Sequence, residues 1–112
     1  MKLLVVSICK NEADTIGKVL NGVPSTIAGI SQIEKRVIDD GSSDSTVEVA
    51  IKHGALVISD GDHKRLAVRF REAVELALKN GADIMVNIDG DMQFDPDDIP
   101  KLVEPIVKGK AD

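Results

Sequence analysis

The chain has 112 residues, 43% of them hydrophobic, and a formal net charge of −5, which is enough apolar material for one domain with one core. The acidic balance excludes a broad phosphate-tracking face, and Phe70 and Phe94 as the only aromatics leave no base-stacking surface, so neither DNA nor RNA is an expected partner. Cys9 is the only cysteine, which excludes an internal disulfide and a multi-cysteine zinc site and fits a cytoplasmic setting, with Cys9 a small buried filler.

Apolar periodicity predicts, in chain order, a strand over 2–8, a helix over 13–21, a strand over 33–38, a helix over 45–53, a strand over 56–58, a helix over 64–80, a strand over 84–88 and a helix over 96–107. The first apolar run is too short to cross a bilayer and is broken by Lys10, Asn11 and Glu12, so any membrane contact would be peripheral, at the cytoplasmic face. Each helix carries one apolar stripe: Ile16, Val19, Leu20 and Val23 in the first, and Val47, Ala50 and Ile51 in the second. The third has Leu66, Phe70, Ala73, Val74 and Ala77, and the fourth has Ile99, Leu102, Val103 and Ile106. One-sided helices alternating with apolar strands imply an α/β fold of three layers around a mainly parallel sheet. Boundary residues agree: Ser43 or Asp44 can cap the second helix, Asn80-Gly81 can close the third, and Asp95-Pro96 can open the fourth.

In a parallel sheet every strand delivers its carboxyl end to the same rim, so residues 9–12, 39–44, 59–62 and 89–93 should converge there, and these segments hold many of the acids. Asp89 and Asp91 stand one residue apart after an apolar strand, a pattern that can grip a divalent cation and leave coordination positions for a phosphate-bearing ligand, with Gln93 a further oxygen ligand. The triplet alone is weak, since Asp60-Gly61-Asp62 and Asp95-Pro96-Asp97 repeat it, and the plainer reading is an acidic loop capping the next helix. Asp39 or Asp40, before Gly41-Ser42-Ser43-Asp44, can accept from a base N–H or a ribose hydroxyl, or else cap the helix. Asn11 and Glu12 offer an amide and a carboxylate, equally readable as ordinary helix-start chemistry. Lys64, Arg65, Arg69 and Arg71 can meet phosphate or pair with Glu72 and Glu75, and most are expected on the solvated surface, as are His53 and His63.

Neither a P-loop nor a G-x-G-x-x-G turn is present, so ATPase and dehydrogenase readings fail and a metal becomes the natural partner of a diphosphate. Four segments resemble, in order, the GT-A fold glycosyltransferases of family 2, and among them the dolichyl- or polyprenyl-phosphate mannose synthase type. They are Leu4-Val5-Val6-Ser7-Ile8-Cys9-Lys10-Asn11-Glu12, Val37-Ile38-Asp39-Asp40-Gly41-Ser42-Ser43-Asp44, Asn87-Ile88-Asp89-Gly90-Asp91-Met92-Gln93, and Asp95-Pro96 through Leu102.

The resemblance implies a Rossmann-like sheet in the order 3-2-1-4 and a chain, residues 1–112, that corresponds to the nucleotide-sugar-binding half, with the acceptor-binding half absent. It further implies that Glu12 and Asp39 or Asp40 contact base and ribose, that Asp89 and Asp91 handle diphosphate and metal, and that Gln93 completes a Mg²⁺ or Mn²⁺ site. The implied reaction is sugar transfer from a GDP- or UDP-linked donor to a polyprenyl phosphate or a sugar; no catalytic base is assignable. The alternative is a non-catalytic nucleotide-binding or interaction module that kept the fold. Two departures bear on the site: Ile8, Cys9 and Lys10 replace the family's Pro, small residue and aromatic, introducing a lysine that can reach phosphate. Asp62-His63-Lys64-Arg65-Leu66 replaces a glycine-rich helix start. An uncovered edge on the fourth strand leads to the expectation of a homo-oligomer.

Overall fold

The computed structural model of the protein describes residues 1–109. Among these, strands β1 (Lys2–Cys9), β2 (Gln32–Asp39), β3 (Leu56–Ser59) and β4 (Ile84–Asn87) alternate with helices α1 (Ile16–Gly22), α2 (Thr46–Lys52), α3 (Leu66–Lys79) and α4 (Ile99–Val107). A 3₁₀ turn at Pro96–Asp98 leads into α4. The strands form one parallel sheet in the order β3-β2-β1-β4, as expected. β4 pairs with β1 alone, so among the described residues its outer edge is open. No helix among them is long and apolar enough to cross a membrane.

β1 is central because its run Leu3-Leu4-Val5-Val6 is apolar at every position, and successive side chains point to opposite faces of a sheet covered on both sides. All four residues are at most 1% exposed. Leu3 and Val5 pack with Ile16, Val19, Leu20, Ala50, Ile99 and Val103 beneath α1, α2 and α4. Leu4 and Val6 pack with Ile38, Ala73 and Ala77 beneath α3 alone. Each such aliphatic side chain contributes about 1.5–3 kcal/mol by leaving water.

Several expected boundaries shift for local reasons. α1 begins at Ile16 rather than residue 13, because Asn11 turns the chain through the left-handed region (φ 54°) and the Thr15 and Ile16 amides fold back onto the Glu12 carbonyl. α3 begins at Leu66 because Arg65 is extended. The caps form only in part: Asp44 accepts from the Thr46 amide at 3.0 Å, but the N-cap position of α2 is Ser45, whose side chain makes no cap bond, and Asp95, accepting from the Asp97 amide at 2.9 Å, caps the 3₁₀ turn that leads into α4. Gly81 (φ 69°) lets the Ala82 amide reach the Ala77 carbonyl at 3.0 Å and closes α3.

Three stripes differ from the expectation. In α4, Ile99 and Val103 are buried but Leu102 is exposed. In α2, Thr46 and Ala50 face inward while Ile51 is exposed. In α3 the buried line is Arg69, Ala73 and Ala77, spaced one turn apart, whereas Leu66 and Phe70 are exposed. The placement of Arg69 on the solvated surface is therefore overturned, since the residue is fully buried. His53 is half-buried: its Nδ1 meets Asn21 Oδ1 at 3.1 Å, and its ring lies beside Gly17, where any Cβ would lie 2.8 Å from Nε2. Gly17 thus sets how closely α1 and α2 approach.

Leu3→Ala should lower unfolding stability in urea by about 2–5 kcal/mol, because it empties a site under three helices. Leu78→Ser, on the 75% exposed face of α3, should change it by less than about 0.5 kcal/mol.

Candidate functional site

Parallel pairing puts Cys9 beside Asp39, and Asp39 beside Ser59, so the turns leaving β1, β2 and β3 emerge together, and β4 joins them on the other side of β1. Side chains then tie the turns to one another. Asn11 Oδ1 accepts from the Ser43 amide at 2.8 Å and the Asp44 amide at 3.4 Å, while the Asn11 amide donates to Ser42 Oγ at 2.9 Å. The Glu12 amide donates to Thr46 Oγ1 at 2.9 Å, and Thr15 Oγ1 donates to the Gly90 carbonyl. Asn11 is therefore a strut between two turns, a role its position at a helix start did not reveal.

Glu12, Asp39 and the Asp89–Asp91 turn gather at this rim. Gly90 packs so tightly that a Cβ there would strike the Glu12 carboxylate and approach Cys9 Sγ to 2.8 Å, which is the steric reason for a glycine between the two aspartates. Burial, chiefly, pushes the Cys9 thiol up to about 12, and the charges of Glu12, Asp39 and Asp89 act in the same direction, so Cys9 is an inert filler as expected. Burial also raises the Glu12 carboxyl above the ordinary glutamate range, with Asp91 and then Asp89 adding to the effect. Asp39 is 2% exposed; its Oδ2 accepts from the Ser42 amide and Ser59 Oγ, each at 3.2 Å. Among the described residues, two buried oxygens, Glu12 Oε2 and Asp39 Oδ1, have no hydrogen-bond partner. An unmatched buried acceptor costs about 1–3 kcal/mol, so each would favour an N–H or O–H donor.

Asp89, Asp91 and Gln93 stand exposed at the mouth of the rim. Asp91 Oδ1 accepts from the Gln93 amide at 3.1 Å, and Met92 adopts a left-handed φ of 69° to make that turn. Among the described residues no three acidic, histidine or cysteine side chains form a ready metal cage.

Asp40 behaves differently from its neighbour, because consecutive residues at a strand end point to opposite faces. Its Oδ1 accepts from Arg69 Nε and the Lys64 amide, both at 2.7 Å, and its Oδ2 meets His63 Nδ1 at 2.6 Å. Both oxygens are engaged by protein donors on the α3 side, so of the two aspartates in this turn only Asp39 retains an open acceptor. His63 is exposed, as expected, yet it has this partner. A cavity of about 400 Å³, lined by Ile27, Ala28, Gly29, Pro100 and Val107 with Glu104 and Lys108, lies near the chain's first residue, at the opposite end of the strands. It is mostly apolar and carries none of the predicted site residues.

A parallel sheet in this order, with acids along its carboxyl rim, is the α/β fold of GT-A glycosyltransferase structures. The chain belongs to glycosyl transferase family 2, which matches residues 4–112. It is 36% identical over 100 residues to glycosyltransferase AglJ of Haloferax volcanii, covering 88% of this chain and 30% of that protein. It is 29% identical over 119 residues to the undecaprenyl-phosphate 4-deoxy-4-formamido-L-arabinose transferase of Klebsiella pneumoniae, covering 96% and 34%. Glucosyl-3-phosphoglycerate synthase of Mycobacterium tuberculosis superposes with a TM-score of 0.74 at 28% identity, over 97% of this chain and 41% of that one. A structure of that synthase with Mn²⁺, UDP and glucosyl-3-phosphoglycerate superposes with a TM-score of 0.69 at 30% identity, over 95% and 39%. The chain thus spans well under half the length of these relatives.

The raised Glu12 makes a signed prediction. A carboxyl whose pKa is higher folded than unfolded costs stability once the pH exceeds its ordinary value, and the full cost is present above the raised value. Glu12→Gln should therefore melt on the order of a few degrees higher than the parent at neutral pH, with the gain shrinking as the pH falls into the acid range. Thermal scans across that range measure it.

Proposed function

We propose that this chain is the donor-binding part of a family 2 glycosyltransferase and holds a nucleoside-diphosphate sugar across the rim formed by Glu12, Asp39, Asp89 and Asp91. The observation that carries the reading is the pair of buried, unpartnered carboxylate oxygens, Glu12 Oε2 and Asp39 Oδ1, in the wall of a rim whose mouth holds two exposed aspartates. A base with an N–H edge and a ribose hydroxyl supply the donors those oxygens lack. Support for a UDP-type ligand comes from the similar synthase crystallised with UDP and Mn²⁺, and the relative named for undecaprenyl phosphate favours a polyprenyl phosphate acceptor.

The donor set fits a hard cation. Asp89 and Asp91 offer exposed carboxylates and Gln93 an amide oxygen, and too few protein oxygens converge to enclose the ion, which suits Mg²⁺ or Mn²⁺ sharing its coordination sphere with phosphates. Bound there, the cation would neutralise charge building on a departing diphosphate. Asp89 and Asp91 would hold it, Gln93 would complete the protein share, and Glu12 and Asp39 would orient the nucleoside. Lys10, exposed beside the Asn11 turn, is a second candidate to meet phosphate. We place the acceptor site and any catalytic base outside this chain, so the isolated chain should bind donor with little transfer.

Calorimetric titration with UDP and GDP, with and without Mn²⁺, tests this. One of the two should bind far better with metal. Asp91→Ala should erase that metal dependence, and Asp39→Asn should weaken binding about tenfold or more by exchanging a charged acceptor for an amide. Metal-independent binding, or silence from both nucleotides, would favour a module that has kept the fold without the donor site.

A further inference from the structure

Among the described residues Arg69 is the one charged residue at 0% exposure, and every donor of its guanidinium is engaged. Nε donates to Asp40 Oδ1 at 2.7 Å. Nη1 and Nη2 grip Asp60 at 3.0 and 2.9 Å in a two-point fork. Nη1 also reaches Glu72 at 2.9 Å, and Nη2 the Asp62 carbonyl. One cation rooted in α3 therefore fastens the turn after β2 to the turn after β3.

The path from there to Asp39 is short. Asp40 is the next residue, and its Oδ1 is held by Arg69. Gly41, at φ 80°, lies directly against the Asp62 backbone, where any Cβ would sit 2.9 Å from the carbonyl oxygen that Arg69 also holds. The Ser42 amide then donates to Asp39 Oδ2, as does Ser59 Oγ from the end of β3, which fixes the carboxylate with Oδ1 unpartnered. Without a cation beneath them, Asp39, Asp40, Asp60 and Asp62 would crowd two adjoining turns with like charge.

We infer that Arg69 is a positioning residue of the nucleotide site: it locks the Asp40–Gly41 turn against the 60–64 loop, and so presents the Asp39 carboxylate preformed for a ligand donor. The ligand part of this inference rests on the donor-binding reading; the locking of the turn does not. A lysine keeps the charge but has a single nitrogen and cannot fork between Asp40, Asp60 and the Asp62 carbonyl at once.

The test uses the full chain and two readouts. Amide hydrogen exchange by NMR follows Ser42 and Lys64, whose N–H groups donate to Asp39 and Asp40, with Val5 and Val37 in the core as references. Arg69→Lys should speed exchange at Ser42 and Lys64 about tenfold or more while leaving the core references within about twofold. It should also weaken metal-dependent UDP or GDP binding by about tenfold. Glu72→Gln, which removes the charge from the contact within α3 while keeping an acceptor for Nη1, should leave both readouts at the parent's values. Should Arg69→Lys fail to fold, Asp60→Asn must reproduce the pattern by removing the forked pair. Unchanged exchange at Ser42 in these variants overturns the inference, as does an acceleration shared equally by Val5 and Val37, which would mark a purely global role. If the parent binds neither nucleotide, the donor-binding reading falls, and the locking claim is still decided by the exchange rates.

Discussion

A parallel sheet brings the carboxyl end of every strand to one rim, and in this chain that geometry concentrates negative charge. Glu12, Asp39, Asp40, Asp60, Asp62, Asp89 and Asp91 all leave the sheet at the same side. The fold must offset their repulsion before any ligand arrives. It does so unevenly: on the α3 side Arg69 compensates Asp40 and Asp60, holding both carboxyls below the usual aspartate range, whereas on the side of α1 burial, with Asp91 and Asp89, raises the Glu12 carboxyl, which has no ion-pair partner among the described residues. The neutralised half ties turns together, and the half left without a cation is the one we propose as the donor site.

That division gives the unpartnered oxygens their meaning. Asp39 and Asp40 are adjacent and chemically identical, yet Asp40 is saturated by Arg69, His63 and the Lys64 amide while Asp39 retains an open Oδ1. Glu12 is held at its backbone by Thr46 and pressed by Gly90, so its orphan oxygen cannot easily turn to water. Groups fixed in this way carry an energetic cost that a fitting donor would relieve, and on the proposed reading this is how a rim without a glycine-rich phosphate loop would select a nucleotide.

Much of the architecture was legible in the sequence because it depends on patterns the eye can follow. The alternation of apolar strands with one-sided helices implied the α/β class, and Gly81 marked the close of α3, while Asp44 lies one residue before the N-cap of α2 and Asp95 marked the 3₁₀ turn before α4. The convergence of Glu12, Asp39 and Asp89 followed from parallel pairing alone. What escaped were residues whose role depends on distant partners. Arg69 sits among Lys64, Arg65 and Arg71 in a basic stretch that reads as solvated, and only the packing of α3 across the sheet shows that the helix turns Arg69 inward and Phe70 out. A signal was present: Arg69 lies four residues before Ala73 and eight before Ala77, on the smallest-residue line of the helix, where a long side chain has room to run along the sheet. Asn11, likewise, resembled a helix start until the amides of Ser43 and Asp44 were seen to converge on it.

On the proposed reading a cation and a nucleoside diphosphate meet at the Asp89–Asp91 turn and nowhere else on this chain. Paramagnetic broadening of amide resonances by trace Mn²⁺ in the presence of UDP or GDP reads this directly. The account predicts that Gly90, Asp91 and Gln93 lose intensity first and that Gly29, beside the apolar cavity at the far end of the strands, keeps it. Broadening centred away from residues 89–93, or the same broadening in an Asp89→Asn, Asp91→Asn double variant, would contradict it.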